Sequence, residues 1–454
     1  MELHDNLIIG FSGLQGVNVE RVITCDEELK LVIYARQTRS EALCNACGNT
    51  ITHVHEWKDR KLRGAPLGAY QEVWIYLKQL RGNCHICGDV VKSARVPFVH
   101  PQFQNMVLAL CEHAGRLMEE ITCEAVARLL RLNSKTLWDL DQWRMKAMKP
   151  LITLPNNINL SHLSADEVHF RTQPKVDSLS RPNIEFVTNL VCYKESKVLS
   201  NAMGRDSGSL KNCLDVLTKP QKLSVLFFAV DMHDPFILAI KRECPNAEIC
   251  VDRFHLAENV NKCFDEVRRV EFKKALAKND HFQQGMLSPH RRFVLVEREK
   301  KLSKKDLKML EELKQLNKQI FNGMILVEHF HKILDKTNVT EFRKSLALWY
   351  RLTREADLKP FKRFANTIRK YRRNIESYVK SHLTTAVSEC LNNKIKTLKR
   401  MAYGYHNKAS FLNKILQRCG YLNSNYIPTN SWFWRLPDHL AQSTPLLVYG
   451  EGHP

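Results

Sequence analysis

The chain has 454 residues, 44% of them hydrophobic, enough for several cores, and two to four domains are expected in one soluble protein. Its longest apolar stretch, around Leu223 to Val230, is too short for a bilayer, and the start MELHDNLIIGFSG lacks the basic head and continuous apolar centre of a signal peptide, which argues against membrane and exported classes. The 69 Lys and Arg against 48 Asp and Glu give a net charge of +21 spread along the chain, pointing to a long polyanion, and 14 cysteines without an export signal point to a reducing, cytoplasmic compartment.

Residues 17–36, VNVERVITCDEELKLVIYAR, alternate apolar and polar side chains on both sides of a Cys-Asp-Glu-Glu break, the pattern of a β-hairpin. Two knuckles follow, Cys44-Asn-Ala-Cys47-Gly and Cys84-His-Ile-Cys87-Gly, each with a glycine that lets backbone amides turn toward thiolate sulfurs. This spacing predicts a tetrahedral Zn2+ site on Cys44, Cys47, Cys84 and Cys87. The spacer holds a strand-like run from Tyr70 to Leu77, and His53 and His55 are competing ligands or, with four cysteines already present, polar surface residues or phosphate contacts.

From about Gln104 to Met148 the pattern is helical. Thr122 is placed to cap a helix whose apolar face is Val126, Leu129 and Leu130. Asn133 and Ser134 break the run and cap a second helix bearing Lys135, Trp138 and Arg144. This is either a helix-turn-helix, with Lys135 and Arg144 as DNA contacts, or a plain packed hairpin.

Residues 160–264 change to α/β character, with strands expected at 161–168, 183–192, 197–203, 223–230 and 248–251 and helices around 208–218, 234–243 and 255–269. Three strands, a helix, a fourth strand, a helix and a fifth strand match the order of a ribonuclease H-like fold, which needs one more helix, absent until after residue 380. Between lies a long helical run. Leu307, Leu310, Leu313, Leu316 and Ile320 form one apolar stripe, and Phe361, Phe364, Ile368, Tyr371, Ile375 and Val379 another. The basic run Arg369 to Arg373 either tracks phosphates or is a solvated face.

Asp166 ends the first of these strands and Asp231 the fourth, and in a ribonuclease H-like sheet those strands are neighbours. Carboxylates converging on one edge hold hard divalent cations, and two such ions can clamp the attacking and leaving oxygens of a phosphodiester. Glu167 should point to the other face and is a lesser candidate, while Asp234 is expected to cap a helix beginning at Pro235. Glu389 lies in a basic helix, and Asn393, Lys396 and Arg400 fall on its face, an amide and cations that, with Lys399, suit a DNA backbone. Asp252 is a further ligand, the carboxylate that orients His255, or a helix N-cap, and His255 is functional or a packed residue at the helix start.

The segments CNACG and CHICG, an ADE strand end, VDMHDPFILAIKRECPNAEICVDRFHLAENVNK and SECLNNKIKTLKRMAYGYHN resemble the DDE transposases of the ISL-three group of bacterial insertion sequences, over about residues 40 to 420. The resemblance implies a multidomain α+β chain. An N-terminal four-cysteine zinc finger and helix-turn-helix would recognise terminal inverted repeats, and a ribonuclease H-like α/β catalytic core, interrupted by an all-helical insertion, would cut and join DNA with two Mg2+ (or Mn2+) ions. It implies Asp166, Asp231 and Glu389 as the triad, with Asp252 and His255 in a DRFH motif outside it. It also implies double-stranded DNA as partner, both terminal repeats and target, a homodimer on paired ends, no membrane, and a cytoplasmic, nucleoid-associated location.

The expected division is 1–40 hairpin region, 41–100 zinc module, 101–155 helix-turn-helix, 156–264 core, 265–385 helical insertion, 386–420 final core helix and 421–454 tail. Two departures from the family pattern stand out, a longer polar loop from Thr172 to Pro182 and Tyr193-Lys-Glu195 in place of an Asp-containing turn. Water activated between Asp166 and Asp231 is expected to hydrolyse a phosphodiester at the element end, and the 3′-hydroxyl so exposed to attack target DNA. The alternatives are a transposase-derived sequence-specific DNA-binding protein or repressor without cleavage activity, and a structure-specific nuclease without strand transfer.

Overall fold

The computed structural model describes residues 14–39, 42–173, 183–289, 308, 311–313 and 315–427. It separates into two compact units, Met1–Leu154 with Lys399–Pro454, and Pro155–Leu398. Most of the loop expected from Thr172 to Pro182, and Leu307 and Leu310 of the first stripe, lie outside the described residues.

The first unit begins with a five-stranded sheet. Strands β1 (Val17–Cys25) and β2 (Lys30–Gln37) form the expected hairpin. Strands β3 (His53–Gly64) and β4 (Glu72–Cys84) pair antiparallel, β2 lies parallel to β4, and β5 (Val90–Ser93) joins β4, so the order is β1-β2-β4-β3 with β5 off β4. The hairpin therefore shares one sheet with the strands that carry the knuckles. Period-two alternation sorts the faces: Leu31, Ile33, Ala35, Val73, Ile75 and Leu77 are buried on one side, and Tyr34 and Tyr76 are exposed on the other.

Three helices follow, α1 (Leu108–Glu120), α2 (Cys123–Leu130) and α3 (Ser134–Met148). Thr122 Oγ1 accepts from the Ala125 amide at 3.2 Å, and Asn133 Oδ1 accepts from the Lys135 and Thr136 amides at 2.9 and 3.3 Å, so both caps form where their side chains allow. Arg131, at φ 51°, makes the turn between α2 and α3. Val126 and Leu130 are buried, but Leu129 points outward.

The second unit opens with β6 (His162–Gln173), β7 (Asn183–Cys192) and β8 (Lys197–Met203), an antiparallel meander, then α4 (Ser207–Leu214), α5 (Lys219–Leu223), β9 (Phe227–Val230), α6 (Asp234–Glu243), β10 (Glu248–Val251) and the long α7 (Arg253–Ala277). Strand β9 is parallel to β6 and β10 parallel to β9, giving the order β10-β9-β6-β7-β8. The fourth strand starts later than expected because Lys219–Leu223 is a helical turn, fixed by Pro220 and a reciprocal Thr218–Gln221 capping box. Helix α6 starts at Asp234 with His233 as N-cap, so Asp234 is not the cap; its Oδ1 instead accepts from Tyr371 Oη at 2.6 Å.

Helices α8 (His281–Leu287), α9 (Lys318–Leu334), α10 (Val339–Ala356), α11 (Lys359–Lys370) and α12 (Arg372–Ser381) follow. Phe364 packs edge to face on Phe330 and Trp349 at their centre, those two rings being tilted to each other, with Trp349 wholly buried. The stripe from Phe361 to Val379 is buried throughout, but it spans two helices that break at Tyr371. Of the other stripe, Leu313 and Ile320 are buried and Leu316 is exposed. Asn374 Nδ2 donates to Ile249 O at 3.2 Å, which ties α12 to β10.

Helix α13 (Ala386–Met401) leads to α14 (Lys408–Cys419), which packs on α1 and α3 within the first unit. Lys414 Nζ, buried, lies 2.8 Å from Asp141 Oδ2 and donates to Met118 O at 2.9 Å, and Gln417 donates to Asp141 Oδ1 at 3.2 Å. No helix among the described residues is long and apolar enough to cross a membrane.

Candidate functional site

Strands β6 and β9 run side by side, with His162 opposite Phe227, Leu163 opposite Phe228 and Ser164 opposite Ala229. Two residues further along each strand stand Asp166 and Asp231, so the register brings these carboxylates to neighbouring positions. Strand β10 repeats the relation: Val251 lies opposite Val230, and the amide of Asp252 donates to Val230 O at 3.2 Å. Asp231 and Asp252 directly follow the last residues of β9 and β10, whereas Asp166 lies inside β6 and not at its end as expected, because pairing with β7 carries β6 on to Gln173. The three aspartates still neighbour one another where β9 and β10 end, the edge at which open α/β sheets take ligands.

Asp252 caps α7, its Oδ2 accepting from the His255 amide at 3.4 Å, and its Oδ1 accepts from the Thr385 amide at 3.1 Å, which fastens the approach to α13. That cap sets His255 on the first turn of α7 with Nε2 2.6 Å from Asp231 Oδ1. Asp231, Asp252 and His255 offer ligand atoms within 4.8 Å of one another, a group that does not include Asp166 or Glu389.

Helix α13 supplies the rest. Ser388 Oγ meets Ser164 Oγ at 2.5 Å, and Glu389 follows in the first turn. One position short of the predicted Asn393, Asn392 is buried and donates from Nδ2 to Asp166 Oδ2 at 2.6 Å. Asn189, opposite Asp166 on β7, donates in turn to Asn392 Oδ1 at 3.4 Å. Asn393, Lys396 and Arg400 are exposed. Glu167 faces away from Asn392, with Oε1 2.9 Å from Arg205.

Burial and the Asp231 carboxylate push Asp166 up to about 7. Burial, then the charges of Glu167, Asp252 and Glu389, raise Asp231 to about 7 as well. Glu389 is raised by burial and by Asp252. Half-buried carboxylates that repel one another to this degree form a donor set suited to a hard divalent cation, which would relieve both costs.

A transposase family model, that of the ISL-three DDE group, matches residues 163–415. The chain belongs to this family. It is 25% identical over 414 residues to the transposase for insertion sequence element IS1001 of Bordetella parapertussis, covering 91% of this chain and 98% of the relative. It is 20% identical over 410 residues to the transposase for IS1557 of Mycobacterium tuberculosis strain H37Rv, covering 84% and 87%. Membership of the DDE transposases implies transposition, a divalent metal and DNA as partner.

The transposase has a second group of ligand type. The sulfurs of Cys47 and Cys84 are 3.4 Å apart and those of Cys44 and Cys87 3.9 Å, with all four within 4.8 Å. A disulfide needs about 2.05 Å. Four thiolates at about 2.3 Å from one Zn2+ stand about 3.8 Å apart, so the spacing fits zinc. Gly48 at φ 76° and Gly88 at φ 85° make the knuckle turns, and the Ala46 amide donates to Cys44 Sγ at 3.4 Å. The backbone amide of Asn49 lowers Cys47 to about 6, whereas the neighbouring Cys47 sulfur and burial push Cys87 up to about 12. Thiols crowded this way ionise together only around a shared cation.

The helical module of the transposase corrects one expectation. Lys135 is exposed at the start of α3, but Arg144 is fully buried, 3.0 Å from Glu119 Oε1, and its guanidinium is no DNA contact. Its place depends on Gly115 in α1, where a Cβ would lie 2.2 Å from Arg144 Nε. Lys399 is half-buried, with its pKa lowered by that burial, and His53 and His55 are exposed on β3.

Proposed function

We propose that this transposase binds the terminal inverted repeats of its insertion sequence and catalyses phosphodiester hydrolysis and strand transfer with Asp166, Asp231 and Glu389. The observation that carries the reading is the parallel register that sets Asp166, within β6, beside Asp231, just past the end of β9, with α13 bringing Glu389 into electrostatic reach of Asp231 and Asp252. The strand order and directions support a ribonuclease H-like core, with α8 to α12 as the helical insertion before its final helix.

Divalent ions, Mg2+ or Mn2+, bound by the three acids would neutralise charge on the phosphoryl oxygens and make water more acidic. The chain's own groups prepare that site. Asn392 holds the Asp166 carboxylate in one orientation, Asn189 holds Asn392, and His255, hydrogen-bonded through its amide to the Asp252 cap, keeps a ring nitrogen against Asp231. Hydrolysis and joining are both in-line displacements at phosphorus, so one site serves both.

End recognition is assigned to the zinc knuckles and to α2 and α3, where exposed Lys135 supports a helix-turn-helix. Asn393, Lys396, Lys399 and Arg400 are assigned to the DNA backbone. A homodimer on paired ends in the bacterial cytoplasm, associated with the nucleoid, completes the reading. Asp231→Asn is expected to abolish cleavage and joining of a labelled terminal-repeat duplex in Mg2+ while leaving duplex binding intact. Full cleavage by that variant would overturn the assignment.

A further inference from the structure

The outer face of the amino-terminal sheet carries side chains that neither the core nor the acidic site uses. Because β1, β2, β4 and β3 pair in register, Arg21, Tyr34, Tyr76 and Lys61 stand in one row across four strands. The two central rings stack on each other, centroids 5.2 Å apart and 17° from parallel, and are 36% and 38% exposed. Their neighbours along the strands, Ile33, Ala35, Ile75 and Leu77, are turned inward and at most 1% exposed, so the strand alternation points the tyrosines to the outside.

Cations frame the rings. Arg21 is exposed at one end of the row and Lys61 at the other, three strand spacings or about 14 Å apart. Lys61 Nζ also lies 4.0 Å from the ring centroid of Trp74, one residue pair along the same face. Exposed Arg36 stands beside Trp57, its guanidinium carbon 5.3 Å from the ring centroid, and Trp57 packs against the cluster that contains the knuckle cysteines. The aromatic row is therefore continuous with the zinc knuckles.

A solvated sheet face usually carries short polar or charged side chains. Stacked aromatic rings at its centre with a cation at each end form instead a platform for bases and their phosphates. A duplex keeps its base faces stacked internally and cannot use such a surface, whereas an unpaired strand can. We infer that this face binds single-stranded DNA, with bases stacking on Tyr34 and Tyr76 and phosphates meeting Arg21 and Lys61, while Arg36 is held by Glu20 at 2.8 Å. This goes beyond the proposed recognition of duplex ends, and it gives the amino-terminal unit a grip on strands that a cutting and joining reaction leaves unpaired.

The test uses the full chain with zinc bound, no added Mg2+, and three labelled probes followed by fluorescence anisotropy: oligo(dT), oligo(rU) and a terminal-repeat duplex. The double variant Y34A/Y76A should bind the single strands at least ~10-fold more weakly, Y34F/Y76F should bind them as wild type does, and neither should change duplex binding. The loss should be seen on oligo(dT), and a loss confined to oligo(rU) overturns the inference. Wild-type affinity of Y34A/Y76A for both single strands, or an equal loss on single strands and duplex, overturns the inference. If the alanine pair loses zinc or fails to fold, R21Q/K61Q decides, with weaker and less salt-dependent single-strand binding expected and unchanged binding refuting. A wild type that binds single strands but not the terminal duplex would overturn end recognition and leave this inference standing.

Discussion

Replacing Asn392 by leucine keeps the branched shape of a buried side chain but removes the donor to Asp166 and the acceptor for Asn189. The Asn392 amide gives Asp166 Oδ2 a hydrogen bond of 2.6 Å. A hydrogen bond to an ionised group is worth about 1.5–3 kcal/mol, and loss of a partner that orients a metal ligand costs about 10–100-fold in affinity or activity. Single-turnover cleavage of a terminal-repeat duplex should therefore slow about 10–100-fold at limiting Mg2+, and half-saturation should need more of the ion. Because the lost donor favoured the carboxylate, Asp166 should titrate higher than its present value near 7, and the acid limb of the rate profile should move to higher pH. Asn393→Ala, one residue on and exposed, should leave the Mg2+ dependence alone. Wild-type rate and Mg2+ dependence for Asn392→Leu would refute the positioning argument.

The raised pKa values of Asp166 and Asp231 also predict a pH-dependent stability. Both fold to values near 7 from ordinary values near 4, so the stability they contribute is present at low pH and lost as pH rises through about 7. Without Mg2+ the melting temperature should fall between pH 5 and 8, and added Mg2+ should restore more at pH 8 than at pH 5; equal shifts at both would contradict it. Cys44→Ser should lose the bound zinc, read by elemental analysis, and weaken end binding, whereas a zinc-free but fully stable wild type would count against the knuckle site. Lys414→Met leaves Asp141, 2% exposed, without its cation and should cost about 3 kcal/mol in chemical denaturation, most of it recovered by pairing the change with Asp141→Leu.

Asp231 was legible as a strand end because an apolar run closed by Asp is a local pattern, whereas Asp166, expected at a strand end, lies within β6 because pairing with β7 carries that strand on to Gln173; parallel pairing then brings the two together. Their helper was not. From Glu389, the predicted face followed i+4, i+7 and i+11 and selected Asn393, yet the side chain that reaches Asp166 is at i+3, about 100° round the helix per residue, where Asn392 is turned into the core. Arg144 misled for a related reason. An arginine on a recognition-type helix reads as a DNA contact unless one knows that a glycine, Gly115, opens a slot for it on the neighbouring helix. The caps Thr122 and Asn133 were readable because capping depends on a side chain and the next three amides. The return of α14 to α1 and α3 depends on pairs such as Lys414 with Asp141, 273 residues apart, which no local pattern encodes.

That return has a consequence for how the protein is made. Glu119 receives Arg144 early, but Ser424, which donates to both of its oxygens from its amide and hydroxyl, is synthesised only after the whole of Pro155–Leu398, and so is Lys414 for Asp141. At roughly 5–20 residues per second, the amino-terminal helices wait on the ribosome for tens of seconds with Glu119 lacking Ser424 and Asp141 lacking Lys414. A product stopped short of α14 carries the knuckles and α1 to α3 with Arg144 on Glu119 but without Lys414 for Asp141. The polar interior of the amino-terminal unit is thus completed only when α14 and Ser424 have been translated.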